Sequence, residues 1–235
     1  MNKKILIAPS LLSADFANLK DEIKKIETSG ADMIHIDVMD GNFVPNITIG
    51  PLIVEAARRC TKMALDVHLM IEAPHKFIKD FAKAGSDIIT IHAEAYSIGQ
   101  NQEGRELKKG TSKTTDKIDE AAVKEVFAQI RSFGKKAGIS LNPDSSLCIE
   151  GVLKGADMVL FMSVHPGFGG QSFIENVLPK IKALSKIYSG DIEVDGGIND
   201  KNAKSIIDAG GNILVAGSYF FGAKDKKEAV RKLRG

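Results

Sequence analysis

The chain has 235 residues, 43% hydrophobic and 26% charged, an average globular composition that excludes collagen, intrinsic disorder and a disulfide-built scaffold. The 32 Lys and Arg against 30 Asp and Glu leave a formal charge of +2, too little to hold a nucleic-acid backbone, and no apolar run approaches the roughly 20 residues of a membrane helix. Cys60 and Cys148 stand alone without metal-type spacing and are expected as free thiols in a reducing, cytoplasmic setting.

The start, Met1-Asn2-Lys3-Lys4 and then Ile5 to Leu12, loosely imitates a signal peptide, but Pro9 and Ser10 interrupt the apolar run, and a buried first strand is expected instead. Further strands are expected at Met33 to Val38, Ala64 to Met70, Ile88 to His92, Ile139 to Leu141, Met158 to Val164, Ile192 to Val194 and Ile213 to Ala216. Between them, apolar residues spaced three or four apart predict helices over Phe16 to Thr28, Ile53 to Arg59, His75 to Ala84, Glu120 to Lys136, Ile174 to Tyr188 and Ala203 to Ala209. Gly30, Gly85, Gly155 and Gly210 each precede a strand and are expected to close a helix in the left-handed conformation. Eight βα units in this length close naturally into a (β/α)₈ barrel, whereas an open doubly wound sheet would carry a glycine-rich turn after its first strand; here that turn reads Ser10-Leu11-Leu12-Ser13. One domain is expected over residues 1–235, with a polar insertion at about 97–117 read as a mobile loop on the active-site face, distant from the core.

Strand side chains alternate, so His35 and Asp37 share one face of their strand, and Asp66 and His68 share one face of the next. Asp195 adds a carboxylate near the end of the seventh. One such pair is compatible with a satisfied polar layer, but burying His35, Asp37, His68 and Asp195 together without a cation is costly. The set therefore predicts one divalent metal ion per subunit, with Zn²⁺, Fe²⁺, Co²⁺ and Mn²⁺ all suited to mixed imidazole and carboxylate ligands. Glycines cluster in three later loops, at Gly167-Phe168-Gly169-Gly170, Gly196-Gly197 and Gly217-Ser218, where bare amides and a short helix at Ser218 to Phe221 would receive a phosphate. Met39, Met70 and Met162 are expected to pack in the core, His92 to be a buried hydrogen-bonded residue, and His75 to lie on the surface.

The motifs Ser10-Leu11-Leu12-Ser13-Ala14-Asp15-Phe16, His35-Ile36-Asp37-Val38-Met39-Asp40-Gly41, Asp66-Val67-His68-Leu69-Met70, Pro166-Gly167-Phe168-Gly169-Gly170-Gln171 and Val194-Asp195-Gly196-Gly197-Ile198 closely resemble the ribulose-phosphate 3-epimerases, along nearly the whole chain. The resemblance implies a ribulose-phosphate-binding (β/α)₈ barrel that interconverts D-ribulose 5-phosphate and D-xylulose 5-phosphate in the pentose phosphate pathway. It also implies His35, Asp37, His68 and Asp195 as metal ligands, Asp37 and Asp195 as the acid/base pair, and Ser10 and His68 as substrate contacts. Gly167 to Gly170, Gly196, Gly197, Gly217 and Ser218 fall on the phosphate side, and Asp195 also contacts substrate. Epimerising C3 of a 2-ketose requires a proton to leave one face and another to arrive at the opposite face, which suits two carboxylates and no redox cofactor. The expected partner is a phosphorylated ketopentose, with no nucleic acid or membrane, and the expected assembly is a homo-oligomer. Two departures stand out: the insertion is long and lacks the family's histidine at the start of the fourth helix, and His165 stands where Asn or Glu is expected. The alternative within the class is a 3-epimerase of D-allulose 6-phosphate. A related decarboxylase is disfavoured because Asp66-Val67-His68 replaces its Asp-x-Lys, and a silent sugar-phosphate binder would not need both carboxylates.

Overall fold

A computed structural model describes residues 3–99 and 112–235. The β-branched and leucine-rich runs form eight strands: β1 (Leu6–Ala8), β2 (Met33–Met39), β3 (Ala64–Met70), β4 (Ile88–His92), β5 (Lys136–Leu141), β6 (Met158–Met162), β7 (Asp191–Asp195) and β8 (Ile213–Val215). All neighbours are parallel, in the order β1-β8-β7-β6-β5-β4-β3-β2. The two ends of this sheet meet. Asp32 N–H donates to the Ile7 carbonyl at 2.9 Å, His35 N–H to the Pro9 carbonyl at 3.0 Å, and Ser10 bridges to His35, which completes a (β/α)₈ barrel.

Helices α1 (Leu19–Ser29), α2 (Pro51–Cys60), α3 (Ile78–Ala84), α4 (Glu120–Ser132), α5 (Leu178–Leu184), α6 (Ala203–Ala209), α7 (Ser218–Gly222) and α8 (Lys226–Arg234) surround it. Residues such as Ile34, Ile36, Val67, Ile91, Ile139 and Val194 face outward and pack with Ile23, Val54, Phe81, Phe127 and Ile206 of the helices in one continuous core. The alternate residues face the axis. Ala8, Met33, Ile88, Met158, Ile213 and Val215 form an apolar plug inside the barrel. Burial on both faces is why these strands read as unbroken apolar runs except where the inward set turns polar.

Several boundaries differ from expectation for local reasons. The helix expected to reach Lys136 ends at Ser132, because Gly134 turns the chain with φ +70°, and β5 begins at Lys136. Gly138 is tolerated inside that strand because a Cβ there would lie 2.3 Å from Thr90 Oγ1 of β4. Gly30, Gly85 and Gly210 close helices with positive φ, but Gly155 does not: it ends a 3-10 helix (Glu150–Gly155) that replaces a full α-helix between β5 and β6, and its missing side chain makes room for Phe127. The expected helices at Phe16, His75 and Ile174 each begin as short 3-10 turns before their α-helical part.

The middle of the insertion, residues 100–111, lies outside the described residues, and the expectation of a mobile loop falls on them. Its C-terminal end corrects the expectation of a segment distant from the core. Ser97 and Ile118 form an antiparallel bridge, and buried Thr115 donates through its hydroxyl to Ser97 Oγ at 2.9 Å and through its backbone N–H to Ser145 Oγ at 3.0 Å. Lys113, only 9% exposed, pairs with Glu72 and sits over the Phe43 ring. Among the described residues, no helix is long and apolar enough to cross a membrane, and both cysteines are free and half-buried.

Candidate active site

The inward face of β2 carries His35 and Asp37, and in-register pairing with β3 sets His68 beside Asp37 and Asp66 beside His35. Asp37 Oδ1 lies 3.2 Å from His35 Nε2 and 3.1 Å from His68 Nδ1, while its Oδ2 accepts from Ser10 Oγ. Thr48 Oγ1 donates to the Asp37 carbonyl and receives Met39 N–H, which holds the strand end in place. Across the barrel, Asp195 ends β7, its carbonyl accepting from the backbone N–H and the hydroxyl of Ser163. Ligand atoms of His35, Asp37, His68 and Asp195 all lie within 4.8 Å of one another. The sequence set is thus one cluster, three of its members buried and Asp195 half-buried at the floor of a cleft.

The electrostatics of this cluster fit a cation. Burial and then the negative charge of Asp37 push the Asp195 carboxyl up to about 7. Burial works against ionisation of Asp37 too, but His35 and His68 outweigh it and hold that carboxyl far below its usual range. His68 is driven down to about 4, chiefly by burial, so its ring is neutral and can offer a lone pair. Burial opposes protonation of His35, yet the charges of Asp37 and then Asp66 raise it well above the ordinary histidine value. Two imidazole nitrogens converging on one oxygen of a buried carboxylate, opposite a second carboxylate, make a donor set of the kind that binds Zn²⁺, Fe²⁺, Co²⁺ or Mn²⁺.

Behind His35 lies a layer that periodicity showed only in part. His35 Nδ1 donates to Asp66 Oδ2 at 2.6 Å, and Glu193 Oε1 is 3.6 Å from the same nitrogen. Burial and then the Asp66 charge raise Glu193 well above the usual carboxyl range, so it enters this layer as a neutral acid. Glu193 stands two residues before Asp195 on one strand face, and that spacing was the available signal for it.

Ser10, Asp37, Gly167, Phe168, Gly169, Gly170, Asp195, Gly196, Gly197, Gly217 and Ser218 all line one cleft open to solvent. Met39, Met70 and Met162 line it as well, so they are wall residues as much as core residues, because each occupies the last inward position of its strand. His68 is fully buried behind that wall. Gly197 has φ +66°, and a Cβ there would sit 2.6 Å from Phe173 N and 2.8 Å from the Gln171 carbonyl. Asn46 Nδ2 donates to the Gly167 carbonyl at 2.7 Å, tying the glycine loop to the β2–α2 connection. His165, at the position that departs from the expected pattern, lies 3.2 Å from Ser112 Oγ and 3.6 Å from Asp144, outside the metal-type cluster. His75 is exposed, as expected.

Comparison with known proteins agrees with this geometry. The model of the ribulose-phosphate 3 epimerase family matches residues 6–221. The ribulose-phosphate 3-epimerase of Synechocystis sp. is 48% identical over 240 residues, spanning 100% of this chain and 95% of that protein. That of Bacillus subtilis is 49% identical over 238 residues, spanning 98% and 99%. Among solved structures, a 3-hexulose-6-phosphate synthase superposes with a TM-score of 0.60 at 18% identity, covering 99% of this chain and 98% of that one. KGPDC from Streptococcus mutans does so with a TM-score of 0.65 at 15% identity, covering 99% and 96%; both likenesses concern the barrel alone. With a matched family model over most of its length and close relatives end to end, the chain belongs to the ribulose-phosphate 3-epimerase family.

Proposed function

We propose that this protein interconverts D-ribulose 5-phosphate and D-xylulose 5-phosphate by two-base proton transfer at C3, with His35, Asp37, His68 and Asp195 holding one divalent cation. The carrying observation is the placement of Asp37 on β2 and Asp195 on β7, separated in the sheet by β1 and β8, so that the carboxylates reach the cleft from different sides. One takes the C3 proton as the C–H electron pair moves toward the C2 carbonyl, forming an enediolate. The other returns a proton to C3 from the opposite face, and the electron pair moves back. The different proton affinities of the two groups suit this division, since Asp37 is held ionised and Asp195 titrates near neutrality. The cation supplies positive charge where negative charge develops on the sugar oxygens.

The sugar's remaining parts meet chemically matched walls. Gly167 to Gly170, Gly196, Gly197, Gly217 and Ser218 present backbone and a hydroxyl to the phosphate end, and Ser10 stands beside Asp37 at the reacting end. Met39, Met70 and Met162 cover the carbon skeleton with apolar surface and limit water around the carbanionic carbon. All of residues 1–235 act in this reading as one barrel domain, in a cytoplasmic homo-oligomer; every strand joins one sheet, which supports the single unit.

The test is turnover of D-ribulose 5-phosphate and D-allulose 6-phosphate in D₂O. The pentose phosphate is expected to be the better substrate, with product carrying deuterium at C3. Transfer of the original C3 hydrogen to product without exchange would indicate one shuttling base and remove the paired-aspartate assignment. Asp37→Asn and Asp195→Asn are each expected to stop epimerisation, with metal content measured in both, since each residue also belongs to the proposed donor set.

A further inference from the structure

The turn after β1 holds two serines, Ser10 and Ser13, and the function proposed above uses only the first. The 3-10 helix Leu11–Ser13 is capped by Ser10, whose Oγ accepts from Leu12 N–H at 3.2 Å and donates to Asp37 Oδ2. Leu11 is fully buried beneath the turn, Ser13 N–H donates to the Ser10 carbonyl at 3.3 Å, and Ala14 N–H donates to the Leu11 carbonyl at 2.9 Å, so the shape of the turn is fixed. Ser13 is half-buried and lines the cleft, and among the described residues its hydroxyl has no hydrogen-bond partner. It stands instead against two glycine loops. A Cβ at Gly217 would lie 2.6 Å from Ser13 Oγ, and one at Gly169 would lie 3.9 Å from it. The space that a side chain at Gly217 would fill is therefore taken by the Ser13 hydroxyl, where the loops after β6 and β8 meet.

We propose that Ser13 donates its hydroxyl hydrogen to the substrate phosphate and, standing one 3-10 turn from Ser10, sets the length of sugar that the cleft accepts. The inference rests on the reading of the glycine loops as the phosphate side of the cleft. The hydroxyl is a donor with no acceptor of its own, beside loops whose bare backbone lets an anion approach, and a phosphate dianion offers only acceptors. Ser10 Cβ lies 3.8 Å from the same point beside Gly217 that Ser13 Oγ approaches, so both serines face one side of the turn. Residues three apart in such a turn are separated by about 6 Å along its axis. Ser10 is held at the reacting end by its bond to Asp37, the group assigned to C3. From C3 a ketopentose 5-phosphate runs through C4, C5 and O5 to phosphorus, a reach that one turn matches. A ketohexose 6-phosphate has one carbon more. With its C3 held at Asp37, its phosphate is carried past Ser13 and the contact is lost. The preference for the shorter sugar then comes from a separation built into a single turn of backbone.

The experiment compares wild type with Ser13→Ala, which removes one oxygen from a half-buried position, and circular dichroism checks that the barrel is intact. Steady-state kinetics are measured with D-ribulose 5-phosphate, and inorganic phosphate and D-allulose 6-phosphate are each tested as competitors of that reaction. In the variant, KM for the pentose phosphate and Ki for inorganic phosphate are each expected to rise about 10–100-fold, as for loss of a hydrogen bond to a charged group, with kcat near the wild-type value. Ki for the hexose phosphate should be the same in both proteins, so the preference for the pentose narrows by the factor lost on it. Unchanged KM and unchanged inhibition by phosphate overturn the contact. A fall in kcat at constant KM also overturns it, because it would place Ser13 with the reacting groups. Equal weakening of the pentose and hexose phosphates overturns the selection by length. Should Ser13→Ala fail to fold, Ser13→Cys, which keeps a side chain of similar shape but only a weak donor, carries the same expectations. Wild-type enzyme that turns over unphosphorylated D-ribulose as well as its 5-phosphate, and that inorganic phosphate does not inhibit, overturns the phosphate side of the cleft itself, an outcome distinct from failure of Ser13.

Discussion

The Ser10 hydroxyl donates to Asp37 Oδ2 at 2.5 Å, joining the residue just beyond β1 to the inward face of β2 at the seam where the barrel closes. The bond occupies one carboxylate oxygen and leaves Oδ1 to the two imidazoles, so Ser10 sets the angle at which Asp37 is presented. Ser10→Ala is expected to keep the fold and lower kcat/KM about 10–100-fold, with weaker metal retention, as for loss of a partner that orients a ligand. Steady-state kinetics with metal content measured alongside checks this; unchanged kcat/KM would falsify the assigned role.

Metal removal provides a second prediction. Treatment with a chelator should abolish turnover, and Zn²⁺, Co²⁺, Fe²⁺ or Mn²⁺ should restore it, because the Asp37 and Asp195 carboxylates converge with His35 and His68 in one cluster of ligand atoms within 4.8 Å of one another. His68→Ala should lose metal and activity together while circular dichroism still reports a folded barrel. Full activity in protein shown by elemental analysis to be metal-free runs against this expectation.

On the proposed phosphate side of the cleft, Gly197→Ala places a Cβ against backbone atoms of Phe173 and Gln171 at a residue with φ +66°. Backbone cannot give way as a flexible side chain does, so a loss of stability of about 2 kcal/mol or more is expected from strain and displacement of the loop. KM for the sugar phosphate should rise more than kcat falls. Denaturant unfolding and kinetics on the same preparation separate the two effects, and a neutral substitution would show that the loop does not need this close approach.

Far from the cleft, Asp32 accepts from Ile7 N–H and pairs with Lys4 and Arg234, tying the C-terminal helix to the start of the barrel. Burial works to raise its pKa, but these partners lower it overall. A folded-state pKa below the unfolded value contributes stability that is present above the unfolded pKa and lost as pH falls through the folded one. Asp32→Asn should therefore cost roughly 1 kcal/mol at neutral pH, after allowing for solvent screening, and this difference from wild type should vanish in acid. Urea unfolding at pH 7 and at pH 3 measures it; a pH-independent difference would assign the cost to packing instead.

The inward pairs His35/Asp37 and Asp66/His68 could be read from alternation because a strand's two faces follow from backbone geometry alone. The approach of Glu193 to His35 and the contact between His92 and His68 could not. Which residue lies beside which depends on register and on barrel closure, and these are set by the packing of helices around the sheet rather than by any one strand. Gly155 shows the same limit: its setting imitates a left-handed helix cap, but what distinguishes it is the close approach of the Phe127 ring, 3.0 Å from where a Cβ would lie.

The sequence by itself determined the repeating βα order, the ligand-type residues and the glycine loops, because each is a local pattern written at the period of its own element. Tertiary structure alone decided that Asp37 and Asp195 face one cleft, that Met39, Met70 and Met162 form its wall, and that His92 lies between Glu94 and His68. These are relations between strands, and only closure of the sheet brings their ends around a common axis.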